Sequence, residues 1–132
     1  MLRRQLRAAA AIAMGAILAG CAAEVPVTPA TLARLERPAP DITIASPVRV
    51  DLPTGRTRAL PQDSLWRAVG TLPQGTVYRP VESVFTIVGR NVHEAYLVVK
   101  GSTLHGFYLP GEVHYSPLPA PLSLPLAKGA NP

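Results

Sequence analysis

The chain has 132 residues, 48% of them hydrophobic, and a formal charge of +5 that overstates its basic character. Three of its 13 Lys and Arg residues fall within the first seven positions, and without them ten basic residues face eight acidic ones, or +2. That balance gives no case for nucleic acid as a partner, which needs a clustered positive field, and a single cysteine excludes an internal disulfide.

Arg3, Arg4 and Arg7 open the chain, and the sixteen residues Ala8 to Ala23 then carry no charge until Glu24. A membrane-spanning helix needs about 20 apolar residues, so this run is short. A basic start, a short apolar middle and small residues before a cut site describe a secretory signal peptide. Its positive end stays on the cytoplasmic side.

The run ends in Leu18-Ala19-Gly20-Cys21, and Cys21 is the only cysteine. These four residues resemble the lipobox of bacterial lipoproteins, matching at all four positions and covering the first 21 residues of the chain. The resemblance implies a diacylglycerol thioether on the Cys21 sulfur, cleavage after Gly20 and, in many bacteria, a third acyl chain on the new amino terminus. Each buried methylene adds ~0.8 kcal/mol of membrane affinity, so two or three chains hold a protein that one does not. Ala22, rather than Asp, follows the cysteine, which in such proteins of bacteria with two membranes implies delivery to the outer membrane. The expected location is its periplasmic face in preference to the surface. The plainer alternatives are an ordinary signal peptide with a coincidental cysteine and an uncleaved anchor helix. Both leave a lone thiol to explain.

Proline and aromatic residues divide the chain beyond Cys21 into three parts. Seven of fifteen prolines lie from Pro26 to Pro61 and six from Pro110 to Pro132, whereas all seven aromatics lie from Trp66 to Tyr115. The expected organisation is a signal peptide over 1–20, a lipidated cysteine and proline-rich tether over 21–61, a small β domain over 62–118 and a proline- and leucine-rich tail over 119–132. A flexible tether of that length spans ~35 Å. Within it, Ile42-Thr43-Ile44 and Val48-Arg49-Val50 are β-branched enough to add an edge strand.

In the central segment, Pro61 to Gly70 predicts a short helix. Asp63 or Ser64 would cap it, Leu65, Trp66 and Val69 would share a face, and Gly70 would end it. Pro73-Gln74-Gly75 predicts a turn and Thr76–Arg79 a strand stopped by Pro80. A further strand is expected within Val81–Val88, a turn at Gly89-Arg90-Asn91, and a strand over Val92–Lys100. Gly101-Ser102 is a two-residue hairpin signal leading into Thr103–Leu109, whose Gly106 predicts a bulge or a close backbone approach. Pro110-Gly111 then turns the chain into Val113-His114-Tyr115. The fold class is mainly β: a small antiparallel meander or sandwich with one short helix, flanked by extended arms.

Both faces of Tyr96–Val99 are apolar, so this hairpin is expected to be covered on both sides. A domain of about 60 residues buries only ~60% of its unfolded surface and is marginal. Either the arms wrap it or a partner completes it. Tyr96, Val98, Phe107 and Tyr108 of the hairpin, with Leu122 and Leu124 of the tail, are the candidate partner-binding residues.

No catalytic residues are assigned. The serines sit in no Gly-x-Ser-x-Gly elbow, and no glycine loop is placed to cradle phosphate. His93, His105 and His114 lack the convergent spacing of a zinc site. No metal, cofactor or small-molecule substrate is therefore expected. The expected function is non-enzymatic binding or assembly within a cell-envelope complex of secretion or conjugation type, with membrane attachment through lipid. The alternative is a small inhibitor or exclusion factor acting on a single partner.

Overall fold

The computed structural model describes residues 23–127. The lipobox Leu18–Cys21 therefore lies outside the described residues, as do the final five positions of the tail. Among the described residues there are eleven strands and no helix. In chain order these are β1 (Thr28–Pro29), β2 (Ile42–Thr43), β3 (Val48–Asp51), β4 (Thr57–Leu60), β5 (Leu65–Leu72) and β6 (Gly75–Pro80). Next come β7 (Thr86–Val88), β8 (Val92–Glu94), β9 (Tyr96–Lys100), β10 (Thr103–Leu109) and β11 (His114–Ser123).

Seven strands form one antiparallel sheet in the order β1-β11-β10-β9-β6-β5-β2, and β3–β4 and β7–β8 are separate hairpins. The turns fall where the sequence places them. Lys100 pairs with Thr103 across Gly101-Ser102, and Gly101 takes the left-handed φ of 65° that such a two-residue turn demands. Leu72 pairs with Gly75 across Pro73-Gln74, and Val88 with Val92 across Gly89–Asn91.

The expected helix from Pro61 to Gly70 is instead a turn followed by the start of β5. Asp63 sits at φ 69° in a turn, where its N–H donates to the Ile44 carbonyl at 2.7 Å, rather than capping anything. Beyond it, Trp66, Ala68, Gly70 and Leu72 are the buried positions of β5, a period of two. The helical expectation rests on Leu65, Trp66 and Val69. In so short a window that trio also satisfies a strand, and alternation decides the outcome.

Both proline-rich arms are built into the sheet. Strands β1 to β4 lie within residues 28–60, the stretch expected to be a tether, and β11 continues through the tail expected to be separate. Pro119 and Pro121 are tolerated inside β11 because the ladder to β10 steps from Pro117 to Leu122 with no paired residue between, so their missing N–H groups fall where no ladder bond is made. Past Ser123 the chain reaches the far edge of the sheet. There Ile44 bridges Leu126, Ala45 N–H donates to Pro125 O at 2.6 Å, and Ala127 N–H to Thr43 O at 2.9 Å. The sheet thus curls until β2 meets the continuation of β11.

Twist explains a second closure on the other face. Each strand is rotated relative to its neighbour by roughly 20–25°, so diagonal corners of a wide sheet approach one another. One diagonal meets at Ile44 and Leu126. The other is spanned by the first arm, which bonds Val113 O through Ala30 N–H at 3.1 Å and pairs Ala33 with Thr71.

Two cores result. The larger holds Trp66, Phe85, Leu97, Val99, Leu104, Phe107 and Leu109 from the central segment. Ile44, Val48, Val50, Leu52, Leu60 and Leu124 from the arms complete it. The smaller, on the opposite face, packs Leu72, Val77, Val98, Tyr108 and Tyr115 under Ala30 and Leu32. The hairpin with two apolar faces is covered on both, and the first arm supplies the second cover. The surface that a central segment of this size cannot bury alone is buried by its own flanks.

Candidate functional site: a cleft at Arg58, Trp66 and Phe85

The residues singled out for partner binding do not form a surface. Val98 and Phe107 are fully buried, Tyr108 and Leu124 nearly so, and Leu122 packs against the larger core. Tyr96 is half-buried, its ring 6.3 Å from that of Tyr108. Their large apolar side chains mark the interior of the sheet. The sequence shows which residues build a core more readily than which face outward.

The histidines occupy three separate places. His105 lies at a bulge in β10, His114 begins β11, and His93 on β8 sets its Nδ1 3.0 Å from Glu112 Oε2. The bulge shifts the ladder so that Val98 faces Gly106 and His105 has no partner on β9. Among the described residues no group of three or more His, Cys, Asp or Glu comes together as a metal site.

A cleft of 530 Å³ lies where β4, the start of β5 and the loop before β7 converge. Its floor is aromatic. Trp66 meets Phe85 edge-on at 5.5 Å, and Phe85 stacks on Phe107 at 5.9 Å. Over Phe85 lies the Arg58 guanidinium, 4.5 Å from the ring centroid. Such a cation–π contact is worth ~0.5–2 kcal/mol depending on desolvation. The Arg58 Nε donates to the Thr86 carbonyl, which fixes the plane of the head group. Arg58 makes no ion pair among the described residues, so its terminal N–H groups are left for another acceptor.

One wall is set by a relay of hydrogen bonds. Trp66 Nε1–H donates to Ser64 Oγ at 3.0 Å, and Ser64 Oγ–H donates to Pro61 O at 2.7 Å. The hydroxyl accepts from the indole and donates to a carbonyl, so it orients the Trp66 ring. Val84 forms the rim and is 71% exposed, the most exposed large apolar residue among those described. Glu82 stands beside it. An apolar trough with one oriented cation suits a segment that offers an apolar side chain next to a carboxylate.

Nothing in the local sequence announces this site. Arg58 belongs to the stretch expected to be a tether, and Phe85 to a strand expected to serve the core. Only the fold brings them together. In comparison with known proteins, no protein-family model, curated protein or solved structure matches the chain.

Proposed function

We propose that this protein is a lipid-anchored, non-enzymatic binding component of the bacterial cell envelope. It is held on the outer membrane through Cys21 and contributes to an assembly of secretion or conjugation type. The observation that carries this reading is Leu18-Ala19-Gly20-Cys21, at the end of a short apolar run and containing the only cysteine. The cleft at Arg58, Trp66 and Phe85 supports a binding role and gives the partner a place to dock.

The test is metabolic labelling with a radioactive fatty acid, together with a Cys21→Ser variant. Label on the native chain that disappears in the variant supports the anchor. An unlabelled native chain found in the cytosol with its first twenty residues attached overturns it. Photo-crosslinking from position 84 in intact envelopes then reports the partner. A large stable assembly supports the proposed role, and a single soluble protein replaces it with that of an inhibitor or exclusion factor.

A further inference from the structure

The described chain begins two residues after Cys21, and it begins docked. Val25 is buried in the larger core. A β-carbon at Gly89, the tip of the β7–β8 hairpin, would fall 2.8 Å from Val25 Cγ2 and 3.0 Å from Ala23 O. Backbone packed this closely leaves little slack. At ~3.3–3.6 Å per residue, the two steps from Cys21 to Ala23 span ~7 Å at most. An acylated Cys21 would therefore hold this hairpin tip at the headgroups, with no long tether between.

Four large apolar residues are exposed among those described, and three of them surround this point. Val92 is 65% exposed, Val113 48% and Val27 38%. They lie on three segments that touch one another. The β7–β8 hairpin reaches the β10–β11 turn through His93 and Glu112 at 3.0 Å. That turn reaches the arm through Ala30 N–H and Val113 O at 3.1 Å, and the arm returns to the hairpin at Val25 and Gly89. Arg90, exposed at the tip, places a cation where a lipid phosphate would lie.

We infer that this valine-bearing patch rests on the headgroup layer of the bilayer that holds the anchor. The contact fixes the orientation of the domain. The turns at Pro73-Gln74 and Gly101-Ser102, at the far end of β6 and β9, then face away from the membrane. The inference rests on acylation of Cys21 and deepens the proposed anchoring from attachment to a defined pose.

Acylation leaves the chain with no free thiol, so one engineered cysteine can carry one fluorophore. The full-length acylated protein is labelled at Val92→Cys, Val113→Cys or Ser102→Cys and reconstituted in phosphatidylethanolamine–phosphatidylglycerol vesicles containing a headgroup nitroxide lipid. Quenching at 92 and at 113 is expected to exceed that at 102 at least threefold. Equal quenching at all three positions, with the acyl mass present on Cys21, overturns the orientation and leaves the anchor standing. A missing acyl mass overturns both.

Discussion

The Leu32 side chain rests on the bare Cα of Gly70. A β-carbon at residue 70 would come within 2.7 Å of Leu32 Cγ and 2.6 Å of the Ala33 carbonyl oxygen. This contact fastens the first arm across the second face of the sheet. Gly70→Ala is expected to cost about 1–3 kcal/mol, the usual range for overpacking. Urea unfolding would measure the loss, and limited proteolysis should find new cuts between Ala30 and Pro40. An unchanged midpoint would mean that the arm is not held there.

A second glycine is more tightly enclosed. A β-carbon at Gly106 would collide with the Ser116 carbonyl oxygen and lie 2.8 Å from Tyr115 Oη and 2.9 Å from Pro117 Cα. Two of those obstacles are backbone and cannot rotate away. Gly106→Ala is therefore expected to destabilise at least as much as Gly70→Ala, by about 2 kcal/mol or more. Equal stability of Gly106→Ala and the native chain in urea would refute the close approach.

The same bulge depends on a hydroxyl. Tyr115 Oη–H donates at 3.1 Å to the carbonyl of His105, the residue that the β10 ladder skips. Tyr115→Phe strands that carbonyl, at a cost of about 1–3 kcal/mol. Amide exchange should quicken selectively around residues 104–106 and 115–117. Unchanged exchange there would deny the hydroxyl its role.

Burial raises the pKa of Tyr78 and Tyr115 above the ordinary tyrosine value, and that of Tyr96 likewise. For Tyr96, Glu94 and Tyr108 add to the rise and Arg79 opposes it. A raised folded-state pKa means that the native state holds the phenolic proton more tightly. The associated stability is complete below the unfolded pKa of about 10 and is lost as pH climbs through the folded values. Urea midpoints should be flat from about pH 8 to 9.5 and fall steeply above about 10. Tyr115→Phe should fall less steeply, and an identical slope would contradict the assignment.

Val84→Asp tests the cleft with little risk to the fold, since an exposed substitution of this kind stays within about 0.5 kcal/mol. Partner capture from solubilised envelopes is expected to drop tenfold or more, while thermal unfolding is unchanged. Arg58→Met should weaken capture similarly, with a modest loss of stability from the Phe85 contact. Undiminished capture in both variants would move the binding surface elsewhere.

Local chemistry makes part of this fold legible. Gly101-Ser102 announces its turn, Thr103–Leu109 its strand, and Gly106 its bulge, because each is decided by neighbours in sequence. The rest depends on distant partners. Prolines at 117, 119 and 121 argue against a strand, and only the break in the ladder between Pro117 and Leu122 shows how they fit. Ile44 and Leu126 carry no signal that they meet. Leu65, Trp66 and Val69 fit two periods at once, and the alternating burial of Trp66, Ala68, Gly70 and Leu72 settles between them, Trp66 in the larger core and Leu72, beyond the bulge after Ala68, in the smaller. The cleft is illegible for the same reason: Arg58 and Phe85 are joined by topology alone.

The seam between Thr43 and Ala127 also sets a timetable. Residues near the start and near the finish of the described chain must be present together before the sheet can close, so a polypeptide emerging from its amino end stays open until almost its last turn has appeared. Deleting Pro125 to Ala127 would cost the whole closure.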